Sequence, residues 1–459
     1  MRKFILAGAA LLLAACSTNP IIDISTRSDP LPDRLPAMKS FGTAPYLVPG
    51  RKSNSDMARD FLELSFQLES GKKIETLTRF QGPITIAMAK RGSNQLEDDL
   101  AELAERLRRE AGLDIHVVKT GQPANIVIET LPRKELHATV PHAACFVVPR
   151  VTNWQDFRAN RQSGKLDWST LTTRNRATVF IPDDVSPQEA RDCLHEEIAQ
   201  ALGPLNDIYR LEDSVFNDDN MNMVLTGFDM LILRAYYAPE FKNGMTKSEV
   251  ASRLPDVLRR LNPAGEIAGT DGQKESSRQW IDKLEEALLS RNPRSRRIQS
   301  ARKAAEMAVQ EGWKDNRLAF SLFALGRLAL GQEPATSIDS FQKAYEIYAY
   351  LYGKDDIHTA HVALQLAAFA LTRGAEDEAL DYVNDSLPAV SRSQNTSLLA
   401  ALLMIKAEAL DYQGRHAEAA TVRLDSLGWA RYGFATDTEI RARLRETAAL
   451  RPGVKKPRI

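Results

Sequence analysis

The sequence predicts an α+β domain followed by an all-α domain of helical repeats. Between residues 53 and 262, short β-branched apolar stretches alternate with amphipathic stretches of helical periodicity. From Trp280 onward the chain is rich in alanine and leucine, and Gly331, Gly374 and Gly414 recur 43 and 40 residues apart. We therefore divide the chain into a signal peptide (1–15), a tether (16–52), the α+β domain (53–262), a linker (263–278) and the repeats (279–450).

The first 15 residues have the parts of a bacterial lipoprotein signal peptide. A basic start at residues 2–3 and an apolar run over residues 4–13 precede Leu13-Ala14-Ala15-Cys16, which resembles a lipobox. We expect the mature protein to begin at a lipidated Cys16 that anchors it to a membrane through its acyl chains. An ordinary signal peptide with a chance cysteine is the alternative.

The predicted location is the cell envelope of a Gram-negative bacterium. Ser17 rather than aspartate follows Cys16, which favours the outer membrane, with the protein facing the periplasm. Lys and Arg total 60 and Asp and Glu total 60, so composition gives no reason to expect a nucleic-acid partner. In an oxidising compartment we expect Cys145 and Cys193, the two cysteines that lipid does not use, to form a disulfide. Two free buried thiols are the alternative.

The α+β domain is predicted element by element from periodicity and caps. Some elements have the period of a strand and others the period of a helix. Ser186-Pro187 opens the helix predicted over 187–202, and Thr226 caps the helix predicted over 225–237. In order they are a helix (55–68), a strand (83–89), a helix (94–111), four strands (115–119, 126–131, 144–148, 177–181), a helix (187–202), a loop (207–224) and two helices (225–237, 248–261).

The most informative stretch is residues 196–207, Glu-Glu-Ile-Ala-Gln-Ala-Leu-Gly-Pro-Leu-Asn-Asp. It resembles the active-site helix of metzincin zinc proteases, His-Glu-x-x-His-x-x-Gly-x-x-His/Asp, with the histidines replaced. By this resemblance Glu197 stands where the general base would be, and Gly203 where the helix ends and the chain turns.

The metal-ligand positions of this motif hold side chains that suit zinc poorly. Glu196 and Gln200 keep the spacing of four that puts two ligands on one helix face, and Asn206 or Asp207 takes the third position. Carboxylate and amide oxygens fit a hard cation better than zinc. His195 lies about 100° around the helix from Glu196, and we expect it on the surface or behind the ligand positions.

A second block strengthens the resemblance. Leu225-Thr226-Gly227-Phe228-Asp229 followed by Leu233-Arg234-Ala235-Tyr236-Tyr237 is similar to the last helix of metzincins, and residues 214–217 stand where their methionine-containing turn would be, without its methionine. Together with Cys193, these motifs resemble the bacterial family called domain of unknown function 2927, over residues 53–262. The resemblance implies a zincin-like fold and says little about activity.

The C-terminal glycines belong to a longer repeated pattern. Ala367 and Ala379 flank Gly374 at the offsets that Ala407 and Ala419 keep around Gly414. This pattern is typical of tetratricopeptide-like repeats, in which small residues let paired helices pack closely and stack into an array. An irregular helical bundle is the alternative.

These expectations combine into a binding or scaffold lipoprotein. It would have a degenerate, non-catalytic metzincin-like domain without a cofactor, and a repeat array that binds an unknown protein or peptide. The alternative is an active metallopeptidase or other hydrolase that uses zinc or another divalent cation. Its ligands would be Glu196, Gln200 and Asn206 or Asp207, and its general base Glu197. A mainly structural envelope protein is the third possibility.

Overall fold

The computed structural model of the chain describes residues 34–42, 52–141, 143–270, 275–289 and 292–452. The predicted signal peptide and Cys16 lie outside these residues. The chain divides into two compact units, one of which includes Gly42–Ser276 and the other everything from Ser277 onward together with the segment that ends at Phe41. Among the described helices, none combines the length and the apolar character that a membrane crossing requires.

The first unit is a mixed α and β structure, as expected. Its helices are α1 (Asn54–Ser65), α2 (Asn94–Ala111), α3 (Arg133–Thr139), α4 (Trp154–Asn160), α5 (Pro187–Leu202), α6 (Gly227–Tyr236) and α7 (Lys247–Leu261). Its strands are β1 (Ile84–Met88), β2 (Ile115–Val117), β3 (Ile126–Leu131), β4 (Phe146–Pro149) and β5 (Ala177–Pro182).

The five strands form one sheet in the order β2-β1-β3-β5-β4. Four are parallel, with Ile126 of β3 opposite Ile86 of β1 and Ala177 of β5. Strand β4 runs antiparallel to β5 at the edge, with Val147 opposite Val179. The predicted mixed sheet is therefore confirmed.

Local signals set the ends of α2 and α5, whose predicted bounds are confirmed. The Ser93 hydroxyl accepts a hydrogen bond from the backbone N–H of Leu96 (3.2 Å), and α2 stops at Gly112, which has a φ of 68° that favours glycine. The Ser186 hydroxyl accepts from the N–H of Glu189 (3.1 Å), and Pro187 opens α5.

Helices α3 and α4 were not predicted from the sequence. Each is seven residues long and is held by an apolar cluster separate from the main core, in which Trp154 and Phe157 pack against Phe146 and Phe180. Phe180 joins this cluster whereas its neighbour Val179 joins the main core, because successive side chains of a strand point to opposite faces. Tertiary packing rather than helical periodicity stabilises α4.

The described residues of the second unit from Ser277 onward form helices and no strand, which confirms the all-α prediction. Consecutive helices are joined by short turns and pack against each other. They are α8 (Arg278–Leu288), α9 (Arg294–Gln310), α10 (Asn316–Ala329), α11 (Pro334–Tyr352), α12 (Ile357–Thr372), α13 (Glu376–Arg392), α14 (Thr396–Tyr412), α15 (His416–Gly433) and α16 (Asp437–Ala448).

The glycines singled out in the sequence occupy the turns within helix pairs. Gly331, Gly374 and Gly414 have φ angles of 80°, 69° and 79°, a backbone conformation that costs other residues free energy. Gly326 has a different role, because a Cβ atom there would lie 2.8 Å from the ring of Phe341 on the paired helix. Glycine at that position lets α10 and α11 approach closely.

Two predicted connecting segments are more ordered than a linker or tether. In the first unit, the Asn54 amide at the start of α1 donates to the backbone oxygen of Asn262 (3.1 Å) and to Glu266 (2.6 Å), and Thr270 donates its N–H to Asp56 (3.0 Å). In the second unit, residues 34–41 of the predicted tether pack against α15. Neither set of contacts has a periodic signal in the sequence.

Candidate functional site

Helix α5 carries three of the predicted site residues, and most of its surface is buried. Glu197 has an exposed fraction of 0% and Gln200 of 3%, whereas Glu196 is half-buried. The helix follows β5 directly and packs against α2, β4 and β5. The motif therefore lies inside the first unit, and its proposed base does not face bulk water.

The third ligand position faces α1. The Asn206 amide donates a hydrogen bond to the backbone oxygen of Glu63 (3.3 Å), and the N–H of Leu205 donates to the oxygen of Leu64 (3.0 Å). Asn206 is buried and Asp207 half-buried. These bonds hold the chain after α5 against the end of α1.

The donor set does not fit zinc. Zinc sites in proteins use imidazole and thiolate with at most some carboxylate, whereas the motif offers a half-buried carboxylate, Glu196, and the amide of Gln200. The third position holds the amide of Asn206, whose nitrogen donates to α1, or the half-buried carboxylate of Asp207, so none of these positions supplies an imidazole or a thiolate. In the part of the chain that the structure describes, no three His, Cys, Asp or Glu side chains form a metal-binding group.

The predicted disulfide is present and fixes α5 to the sheet. Cys145, just before β4, is bonded to Cys193 in the middle of α5, with the Cα atoms 5.9 Å apart. Both cysteines are buried. The bond joins the motif helix to the antiparallel edge strand across 48 residues of sequence.

Arg174 stabilises the end of α5, and sequence reasoning missed it. Its guanidinium donates to the backbone oxygens of Gln200 (2.7 Å), Ala201 (2.7 Å) and Gly203 (2.6 Å). These carbonyls have no partner within the helix, and the helix dipole favours a cation there. The group also lies over the ring of Trp168, 4.9 Å from its centroid. A lone arginine in a loop gives no pattern from which this role could be predicted.

Gly203 ends α5, as predicted, but for a different reason. Its φ of −162° is open to any residue, so a left-handed turn does not explain the glycine. A Cβ atom there would lie 3.0 Å from the ring of Tyr236 in α6. The next residue, Tyr237, donates its hydroxyl to the oxygen of Leu202 (2.9 Å). The glycine therefore allows Tyr236 of α6 to pack on the end of α5, beside the hydrogen bond from Tyr237.

His195 is a buried structural residue, so a surface position is wrong for it. Its Nδ1 accepts a hydrogen bond from the N–H of Leu225 (3.1 Å), just before α6. Burial, with the positive charges of Arg191 and Arg106, holds the pKa of His195 well below its usual range. The neutral imidazole thus connects α5 to the chain entering α6, while Arg106 donates to the oxygen of Leu225 (2.8 Å).

The turn at residues 214–217 is organised by Asp229 of α6. Ser214 donates its hydroxyl to Asp229 (2.6 Å), as do the N–H groups of Val215 (3.1 Å) and Thr226 (2.9 Å). Thr226 and Asp229 form the capping box that opens α6, which confirms the predicted cap. Burial raises the pKa of Asp229 to about 7, although these hydrogen bonds oppose the shift.

The first unit also contains a charged cavity of about 230 Å³. It lies beside the start of α1 and is lined in part by Asp56, Arg59, Arg210 and Glu212. Arg210 forms ion pairs with Asp60 and Glu63. None of the motif residues 196–207 lines this cavity, so it offers the motif no access to solvent.

The second unit has an apolar groove between α9, α10 and α11, with a volume of about 630 Å³. Its floor is apolar, with Val309 63% exposed. The floor residues are Ala305, Val309, Leu318, Leu322, Leu325 and Ile347, and the polar residues around them are Arg302, Glu306, Gln310, Lys343 and Glu346.

Comparison with known proteins bears on the first unit alone. Residues 54–256 match the family described as Protein of unknown function (DUF2927). No curated protein and no solved structure matches the chain. The match spans α1 to most of α7, which is the region of the motifs that carry the resemblance, so the first unit is similar to this family over these residues.

Proposed function

We propose that this protein is a lipid-anchored scaffold of the bacterial cell envelope that binds another protein or peptide through its helical repeats. Its zincin-like first domain is non-catalytic in this proposal. The observation that carries it is the groove of α9, α10 and α11. It is lined by apolar side chains, of which Val309 is exposed and three others are half-buried, and by charged side chains of both signs.

The geometry of the second unit supports a tetratricopeptide-like array. Glycines in the left-handed conformation separate the helices of each pair, and Ala367, Ala379, Ala407 and Ala419 are fully buried. Stacked helix pairs of this kind present extended surfaces to peptide or protein ligands. The predicted repeat pattern and the helix pairing thus support the same interpretation.

The groove suits a peptide with apolar side chains. An exposed apolar surface bordered by polar residues is typical of an interaction site. The border includes the positive side chains of Arg302 and Lys343 and the negative side chains of Glu306 and Glu346. Charges of both signs are therefore available to set the register of a bound segment.

The features of the first domain support a metallopeptidase-like framework that no longer has catalytic activity. Its strands and its helices α2 and α5 follow each other in the order predicted from periodicity, with α3 and α4 inserted, and α5 keeps the glutamate and the glycine of the motif. The complete burial of Glu197 weighs against hydrolysis, since a general base must reach the water it activates. This domain would serve as a rigid binding or spacing element.

A photo-crosslinking experiment tests the binding function. A photoreactive amino acid at Val309 in the groove should yield adducts with a partner in cells, and the same amino acid at Val117, which is 42% exposed in the first unit, should not. Leu322→Lys should abolish the Val309 adduct because it places a charge on the groove floor. Equal adducts at both positions would overturn the proposed groove.

Metal analysis tests the non-catalytic proposal. The mature chain carrying Cys16→Ser, purified without chelators or a histidine tag, should contain far less than one equivalent of any transition metal by plasma mass spectrometry. About one equivalent, lost on Glu196→Ala, would instead support the metallopeptidase alternative.

A change of the predicted lipidation site tests the anchor. Cys16→Ser should move the protein from the membrane fraction to the soluble fraction, and a variant that stays in the membrane fraction would contradict the lipid anchor.

A further inference from the structure

A short segment of the chain lies along helix α15 in the second unit. We call residues 34–41 the strap; they have no regular secondary structure. The backbone N–H of Lys39 donates to the carbonyl oxygen of Gly428 (2.9 Å), and Arg431 donates from its guanidinium to the carbonyl oxygen of Pro36 (3.0 Å). The strap therefore makes main-chain contacts with α15.

Side chains at both ends of the strap are partly buried against the helices. Leu35 packs on the cluster formed by α14, α15 and α16, which includes Leu427, Phe434 and Ile440. At the other end, the rings of Phe41 and Trp429 lie with their centroids 4.7 Å apart. Apolar and aromatic burial of this kind supplies most of the binding free energy of a short peptide.

A lysine between these two anchors adds a charge contact. Lys39 forms an ion pair with Asp425, and its ammonium lies 5.7 Å from the centroid of the Trp429 ring. Both partners of the ion pair are partly exposed, so its contribution to affinity is small. Its main effect is to select a positive charge at this point of the peptide.

Gly428 provides the space that the strap occupies. A Cβ atom on Gly428 would lie 3.1 Å from the Lys39 side chain and 3.3 Å from the carbonyl oxygen of Ala37. Glycine inside a helix is destabilising by about 1 kcal/mol relative to alanine, so helix formation does not explain this residue. The approach of the strap does.

We propose that this face of α15 is a peptide-binding site, and that the strap is the ligand that occupies it in cis. The site recognises a leucine, a lysine four residues later and an aromatic residue two residues after that, as in Leu35, Lys39 and Phe41. It is distinct from the groove of α9, α10 and α11, and it rests neither on that groove nor on lipidation. Dissociation of the strap would open the face of Trp429 to another segment with this pattern.

A binding measurement with the strap as a separate peptide tests the proposal. The probe is a fluorescein-labelled peptide with the sequence of residues 33–42, and the protein is the mature chain with Cys16→Ser, with and without residues 17–41. By fluorescence anisotropy the shortened chain should bind the probe at least about tenfold more tightly than the intact chain, whose site is already filled. Equal binding by the two chains, or no binding by the shortened chain, would overturn the proposal.

Variants locate the bound peptide. In the shortened chain, Gly428→Val and Trp429→Ala should each weaken binding of the probe about tenfold or more, because the valine side chain fills the space that the peptide needs and the alanine removes the aromatic contact. Gly428→Ala provides a milder change in case the valine variant unfolds. Leu424→Ala is the matched control, because Leu424 is exposed on the same helix and should leave binding unchanged. A probe with Phe41→Ala should bind more weakly to the unaltered site.

Hydrogen exchange tests the strap in the intact chain. The amide of Lys39 should exchange more slowly than an unstructured amide of the same sequence, because it donates to Gly428. Gly428→Val should remove this protection while leaving the amides of α14 protected. An unprotected Lys39 amide in the unaltered chain would overturn occupation in cis, whatever the separate peptide does.

Discussion

The guanidinium of Arg174 donates a hydrogen bond to the backbone oxygen of Gln200 at 2.7 Å. The residue that the motif suggests as a metal ligand is therefore held through its main chain by a buried cation. No acid is needed to stabilise this charge, because the carbonyl ends of α5 and the faces of Trp168 and Tyr236 surround it. Arg174 fixes the end of α5, on which the geometry of the whole motif depends.

Loss of Arg174 should destabilise the first unit strongly. Arg174→Met leaves three buried carbonyl oxygens without their donor, and we expect the free energy of unfolding to fall by about 3 kcal/mol or more. Arg174→Lys should recover part of this loss, because a lysine keeps the charge but not the planar set of donors. Urea unfolding followed by circular dichroism measures both variants.

The matched control for this change is Arg91→Met, which alters an exposed arginine of the same unit. It should change the free energy of unfolding by less than about 0.5 kcal/mol. Equal effects of the two substitutions would contradict the role assigned to Arg174.

Reduction of the disulfide should destabilise the first unit and spare the second. The Cys145–Cys193 bond closes a long loop, for which a stabilisation of about 2–4 kcal/mol is typical. The chain has three cysteines, Cys16 and these two, so the helices from Ser277 onward contain no disulfide that a reducing agent could cleave. Scanning calorimetry should show the transition of the first unit shifted downward. An equal shift of both transitions would contradict this prediction, and Cys145→Ser with Cys193→Ser should reproduce the effect without reductant.

The sequence predicted the framework of the first unit better than its interactions. Helices α2 and α5 were bounded correctly because serine caps and a terminal glycine are local signals. Helices α3 and α4 were missed because aromatic packing across the sheet, which involves residues distant in sequence, stabilises α4. The same reason applies to Arg174 and to the strap. Each acts through contacts between segments far apart in the chain, and a single sequence carries no record of such contacts.

The candidate site shows which of its features a sequence motif predicts and which it does not. Spacing identified α5 and its terminal glycine, and the cysteine count together with the expected oxidising compartment predicted the bond between Cys193 and Cys145. Spacing could not indicate that the amide of Asn206 bonds to α1 or that His195 accepts from Leu225, because spacing defines positions on one helix and not what surrounds that helix. Burial of Glu197 depends on three other elements of the fold.

Asp229 should make the stability of the first unit depend on pH. Its pKa in the folded unit is about 7, above the ordinary value of 3.8, so between these values the folded protein retains a proton that the unfolded chain has released. The contribution of Asp229 to the free energy of unfolding is therefore lost as pH rises from about 4 to 7, by at most about 1.4 kcal/mol per pH unit.

Asp229→Asn isolates this contribution, because the amide does not titrate. The difference in free energy of unfolding between the parent and the variant should shrink, or turn in favour of the variant, as pH is raised from 5 to 7. It should become constant above about pH 8. Urea titrations at each pH measure it, with Asp98→Asn, an exposed change in α2, as the control. A difference that stays constant across this range would refute the raised pKa.

The pair Gly326 and Phe341 should couple strongly in the second unit. Gly326→Ala places a methyl group 2.8 Å from the buried Phe341 ring, and overpacking of this kind is destabilising by about 1–3 kcal/mol. Phe341→Leu should also destabilise the unit by itself, since it leaves a cavity. In the double variant the smaller leucine makes room for the methyl group, so the two losses should not add. A double-mutant cycle by thermal unfolding should give an interaction energy of about 1 kcal/mol or more. Additive losses would mean that α10 and α11 do not need glycine for their close approach.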